Sequence, residues 1–164
     1  MITTRIYIDE HLAEYCRSKF TEVGELGDYV RFPDRLDIYH LIYDLLERRP
    51  LNVGRDEGNL CIYLPSRRIG SVALGKNPET YNYLGVRSQK ILNKKIKTMM
   101  RAELHDFIDD NKHKLGVDQI ESVHLFMRKY GIESITEDAL IKDYQRWRDS
   151  VRRTNRKRQY NRKK

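Results

Sequence analysis

The chain is poor in the residues that hold small proteins together from outside a core. Its only cysteines, Cys16 and Cys61, stand far apart and belong to no CxxC or Cys/His-rich pattern. That usage argues against a disulfide scaffold or a cysteine-built zinc site and fits a reducing, cytoplasmic setting. No run approaches the roughly 18 apolar residues of a membrane span, and the opening residues, MITTRIYIDEHL, lack the basic and apolar regions of a secretory signal. The five histidines, His11, His40, His105, His113 and His124, form no HExxH or HxH pair. Neither a metal nor another cofactor is therefore expected.

Basic residues are abundant and concentrated. Residues 145–164 hold ten Arg or Lys against one acid, Asp149, while the other 144 residues hold 22 basic and 23 acidic side chains. The net charge of +8 is thus a property of the C-terminal stretch alone. Excess charge gathered at one end offers a local footprint for a polyanion, DNA most of all, with RNA as the other candidate.

Hydrophobic periodicity orders the rest. Residues 2–8 alternate as a half-buried strand, and Asp9 is placed to cap a helix carrying Leu12, Cys16 and Phe20, ended by Gly24 and Gly27. A short strand at 29–32 stops at Pro33. Asp34 is then expected to cap a helix with Leu36, Tyr39, Ile42, Tyr43 and Leu46 on one side, and NLCIYL, 59–64, reads as a third strand. A connector follows in which Pro78 opens a helical turn. A long helix over 87–112 then carries Leu92, Ile96, Met99, Met100 and Phe107, with Gly116 ending it. Two further helices flank the turn Gly131-Ile132-Glu133-Ser134, one over 118–130 with Ile120, Val123, Met127 and Tyr130, the other from 136 with Leu140, Tyr144, Trp147 and Val151. His124 shares the stripe of Ile120 and Met127, as a core or boundary histidine. The class is α+β: a small mixed β-sheet with helices at the N-terminus, then a predominantly helical half ending in a basic arm. The sections run 1–75 as an α/β domain, 76–116 as connector and long helix, 117–153 as a helical hairpin, and 154–164 as a disordered basic tail.

The last helix organises the cations by geometry. At 100° per residue, Arg146, Arg153 and Lys157 fall on one flank of the apolar stripe, and Arg148 and Arg152 on the other. The arginine fork donates two parallel hydrogen bonds to phosphate, and a helix fixes the spacing of several forks. Arg156, Arg158, Arg162, Lys163 and Lys164 continue the charge beyond Thr154, where apolar periodicity is lost. Tyr160 there is a stacking candidate, though a lone exposed tyrosine is the simpler reading. Lys90, Lys94, Lys97 and Arg101 form a second basic ridge on the long helix, which an ordinary solvated face also explains. Segment 118–153 has the outline of a helix-turn-helix, but the recognition helix would open on Thr136-Glu137-Asp138, an N-cap more than a base reader. Backbone contact is therefore preferred over base reading.

Other local patterns carry weaker signals. Residues 70–77, GSVALGKN, match GxxxxGK[ST] up to its last position, but Asn77 replaces the hydroxyl that would bind magnesium, so a turn or edge strand is the default. Pro33-Asp34 opens like a nuclease carboxylate motif without the acid-x-Lys that should follow. His105-Asp106, and His40 near Asp37, are adjacencies that a highly charged chain produces by chance. Tyr81 to Leu84 reads as a buried turn.

At FMRKYGI, ESITEDALIKDYQRWR, GKNPETYNYL and DIYHLIYDLLERRP, the chain resembles uncharacterised small proteins of phages and mobile elements of Bacteroidetes bacteria. The resemblance runs over most of the chain, carries no functional residue, and implies a bacterial host cell and a regulatory or DNA-handling accessory role. The expected function is nucleic-acid binding without catalysis. The alternative is a structural or protein-interaction module, phage-related on the same resemblance, whose tail grips an acidic partner. A homo-oligomer is compatible with either.

Overall fold

The computed structural model describes residues 2–24, 27–54, 57–65 and 76–162, with side chains as far as Arg158. The chain divides into two compact units, Met1–Met100 and Arg101–Lys164. The connector and long helix, expected as a section of their own, are shared between them.

The first unit is built on a four-stranded mixed sheet in the order β1-β4-β3-β2. The strands are β1 (Thr3–Ile6), β2 (Thr21–Gly24), β3 (Gly27–Val30) and β4 (Leu60–Tyr63), with helices α1 (Glu10–Phe20) and α2 (Asp37–Leu45) between them. Antiparallel pairing sets Ile6 opposite Leu60 and Glu22 opposite Tyr29, while Val30 lies beside Ile62 in the parallel pair. Alternation sends Thr4, Ile6, Val30, Leu60 and Ile62 to a buried face. With Leu12, Tyr15 and Cys16 of α1 and Ile38, Ile42 and Tyr43 of α2, they make the core. Burial also pushes the Cys16 thiol up to about 12, so it stays protonated and unreactive.

Three expectations change. Gly24 and Gly27 do not simply end the first helix: residues 21–24 form β2, which the alternation rule misses because Val23 is exposed and only pairing to β3 defines the strand. Asp9 precedes α1 but makes no capping bond; its carboxylate accepts instead from Asn93 at 3.2 Å. Asp34 lies in a turn, and Leu36 occupies the cap of α2 without a side-chain bond. Pro78 does open a single helical turn, in which the Asn77 carbonyl accepts the Thr80 and Tyr81 N–H groups at 3.0 and 2.8 Å, and beyond it Tyr83 pairs with Glu47 as an isolated antiparallel bridge.

Polar side chains finish what the short strands leave open. Asn59 bonds both backbone groups of Ile8, accepting its N–H at 3.1 Å and donating to its carbonyl at 2.8 Å, which imitates one more rung of the β1–β4 ladder. On the other side of the chain, Gln89 Oε1 accepts the Tyr7 N–H and Asn93 Oδ1 that of Asp9, each at 2.9 Å. Lys76 closes α2: its Nζ donates to the Asp44 and Leu46 carbonyls, both at 2.7 Å, where the helix dipole favours a cation. The lysine of the near phosphate-loop motif is therefore engaged in capping; residues 70–75 of that motif lie outside the described residues.

Helix α3 (Val86–Asp110) passes from the first unit into the second. Leu92, Ile96, Met100, Leu104 and Ile108 are buried at steps of four. Each such step advances about 40° around a helix of 3.6 residues per turn. The buried line winds, and Met99 and Phe107, read as part of one straight stripe, fall half-buried at its margins. A π-helical turn, Asn111–Leu115, ends at Gly116, whose φ of 67° suits glycine. The second unit adds α4 (Gln119–Tyr130), capped by Asp118 onto the Glu121 N–H, and α5 (Glu137–Arg162). Its core is Leu104, Ile108, Val123, Phe126, Ile132, Leu140 and Tyr144. Ile120 is exposed, and so is His124, which pairs with Glu137 at 3.0 Å instead of joining the core. The inward side of α4 is set by Ser122, Val123 and Phe126, about a quarter-turn from the stripe read in the sequence. Among the described residues no helix is long and apolar enough to cross a membrane.

A Cβ on Gly58 would stand 2.2 Å from the Ile6 carbonyl oxygen, whereas one on Gly54 would meet nothing within 4 Å. Gly58→Ala is expected to destabilise the protein by about 2 kcal/mol or more through backbone displacement. Gly54→Ala should be near neutral, and urea midpoints of the two variants provide the comparison.

Candidate nucleic-acid interface

Helix α5 is anchored at its start and charged at its end. The Thr136 hydroxyl accepts the Ala139 N–H at 3.3 Å, and Glu137 and Asp138 place acid where the dipole favours it. These acids are already engaged, Asp138 by Lys142 at 3.1 Å and Glu137 by His124. The polar side chains of the opening turn are thus engaged in capping and ion pairs.

The next turns carry the anchor. Leu140 and Tyr144 are each 2% exposed. The Tyr144 hydroxyl donates to Asp109 of α3 at 2.5 Å, and burial together with that bond pushes the phenol up to about 12. Beside it, Asp143 takes the Arg101 guanidinium at 2.5 Å, and His105 Nε2 lies 3.4 Å from its other oxygen. The His105 ring stacks on Trp147, with centroids 4.4 Å apart and planes at 26°. Burial holds the imidazole below its ordinary range, against the opposing pull of Asp143. A neutral His105 leaves Arg101 to balance the Asp143 charge. Tyr130 makes a similar tie through its hydroxyl to Glu103. Sequence reasoning missed this cluster. Arg101 and His105 share a helix face by their spacing of four, but Asp143 meets them only through tertiary packing.

Arg101, expected on an exposed basic ridge, is exposed, but Asp143 also holds it in an ion pair. Lys90 and Lys94 are exposed and Lys97 is half-buried, all three in the first unit. Lys95, also on α3, pairs with Asp37 at 3.3 Å.

Past the anchor the apolar stripe gives out. Trp147 is 37% and Val151 41% exposed, so the packed stripe expected over four residues is complete only at Leu140 and Tyr144. Every described side chain from Asp149 to Arg158 is exposed. Arg148 is half-buried, its guanidinium 5.7 Å from the Tyr144 ring and its Nε without a hydrogen-bond partner. Arg146, Arg152, Arg153, Arg156, Lys157 and Arg158 are exposed, and among the described residues none of them is in an ion pair. At 100° per residue, Arg158 falls in line with Leu140 and Val151, so the cations encircle this part of the helix.

The helix also runs on to Arg162, through the stretch expected to be disordered after Thr154. A helix already nucleated extends without apolar periodicity, and Arg, Lys and Gln are good helix formers. The Arg162 side chain, with Lys163 and Lys164, lies outside the described residues. Among the described residues no group of His, Cys, Asp or Glu is assembled that could hold a metal ion.

The two titratable anchors set opposite pH limits. His105 is depressed in the folded state, so the unfolded chain binds more protons and stability is lost as pH falls below about 6.5. Tyr144 is raised, so its contribution is present below about 10 and lost as pH rises toward about 12. His105→Gln should flatten the acid limb of melting temperature against pH, and Tyr144→Phe the alkaline limb.

Comparison with known proteins adds no relative to this geometry: no family model matches the chain, and neither a curated protein nor a solved structure matches it.

Proposed function

We propose that the protein binds nucleic acid, chiefly double-stranded DNA, through phosphate contacts from the C-terminal part of α5. The observation that carries this reading is the run of cations from Arg146 to Arg158, all exposed but the half-buried Arg148, none of which is in an ion pair among the described residues. Such a run is costly alone. Arg148, Arg152 and Arg156 follow one another at steps of four, as do Arg153 and Lys157, and like charges so spaced destabilise a helix by about 0.2–0.5 kcal/mol per pair. A polyanion removes that penalty. The helix rises about 18 Å from residue 146 to 158, over which duplex DNA offers roughly ten phosphate charges.

The acidic opening of α5 favours backbone contact without base reading, and the resemblance to phage and mobile-element proteins fits an accessory or regulatory role in DNA handling. Lys90 and Lys94 are secondary candidates. A second reading, a protein-interaction module gripping an acidic partner, draws on the partial exposure of Trp147 and Val151.

Duplex affinity should fall steeply with salt. Each lost phosphate contact reduces the slope of log affinity against log salt by about 0.9, so Arg152→Gln, Arg153→Gln and Arg156→Gln together should lower it by about 3. Helicity measured by circular dichroism should rise when duplex is added. Unchanged duplex affinity at low salt after deletion of residues 152–164 would refute the proposal. Sedimentation with duplex absent or present separates it from the second reading, which expects a heavier species without nucleic acid.

A further inference from the structure

The first unit carries a surface of a different kind. One face of the sheet is buried, and the other points Thr3 and Arg5 of β1, Cys61 and Tyr63 of β4, Tyr29 of β3 and Glu22 of β2 outward, with Arg31 just beyond β3. The two central strands thus supply the aromatic rings, while the edge strands and the end of β3 supply the charges. Tyr29 and Tyr63 have centroids 6.0 Å apart and planes at 36°, giving a shared, gently tilted platform. The Arg31 guanidinium stands 5.1 Å from the Tyr63 ring centroid. Glu22 steadies both neighbours, accepting the Tyr29 hydroxyl at 3.2 Å and pairing with Arg31 at 3.4 Å.

A hollow of about 530 Å³ opens at the end of this platform, lined by Arg31, Tyr63, Asp34 and Tyr39 among others. That volume is within the usual range for small-molecule sites, about 300–1,000 Å³. Its polar lining suits a planar, hydrogen-bonding ligand better than an aliphatic one.

We infer that this sheet face binds the unpaired bases of a single-stranded nucleic acid. Tyrosine faces meet the π-faces of bases, which a duplex keeps stacked and hidden. The charges complement such a strand part by part: Arg5 and the Arg31 N–H groups not turned to Glu22 donate to phosphate, while Asp34 accepts from amino groups of the bases. Two cations against two acids leave no net charge to hold a rod of phosphates. Affinity here comes from stacking. The inference stands apart from the reading of α5, which concerns phosphate on a duplex.

The test uses the full chain with short labelled oligodeoxythymidylate, oligouridylate and a duplex. Tyr29→Leu and Tyr63→Leu keep apolar bulk on the sheet while removing the ring. Each is expected to weaken single-strand binding roughly tenfold and to leave duplex binding unchanged. Tyr63→Phe, which keeps the ring, should bind like the parent. Deletion of residues 152–164 should instead lower duplex binding and leave the effect of the leucine variants on single strands in place. Tyrosine fluorescence should be quenched saturably by the oligomers and lose that response in the double leucine variant. The tighter of the deoxyribose and ribose oligomers names the strand, and binding of neither overturns the inference. Leucine variants that bind single strands like the parent, or that lose single-strand and duplex binding alike, also overturn it.

Discussion

The Asp143 carboxylate, shared between Arg101 and His105, is the interaction on which the second unit turns. Helix α5 is 26 residues long and, among its described side chains, buries only Leu140 and Tyr144 deeply. Two apolar side chains contribute about 1.5–3 kcal/mol each, too little to order so long a helix. The polar ties from Asp143 and Tyr144 to α3, with the His105–Trp147 stack, fix its direction before the cations begin. A buried or half-buried ion pair adds modest net stability, but losing one partner leaves a charge stranded. Its value here is geometric. Charge repulsion in the exposed half is thereby kept from unseating the anchored half.

The two surfaces obey different physics. On α5 the charges are unopposed and ring a narrow cylinder, so attraction is long-ranged and salt-screened. On the sheet, acids stand next to arginines and rings supply contact area, so attraction acts at van der Waals range.

Much of the architecture was legible because alternation and 3.6-residue periodicity report burial directly. The strands at β1 and β4, the helices α1, α2, α4 and α5, and the glycine ends at Gly116 and Gly131 follow from that signal. What was hidden depends on tertiary partners. Strand β2 carries no buried alternation, and its identity comes from the backbone of β3. The winding stripe of α3 cannot be separated from a straight one without knowing that the helix serves two cores. The basic footprint of α5 was read from counts alone, but the pairing of Arg101 required Asp143, far along the chain. Tyr29 and Tyr63 gave no signal as a pair, since their adjacency exists only in the parallel register of β3 and β4.

Gln89 and Asn93 have a consequence for how the protein meets copies of itself. The outer amides of Tyr7 and Asp9, just past the edge strand β1, are donors that another strand would otherwise find waiting. Helix side chains hold them instead. Two side-chain amides, oriented by a helix turn, take the place of a neighbouring backbone at those two positions. Two residues thus finish the stretch of border that follows the strand.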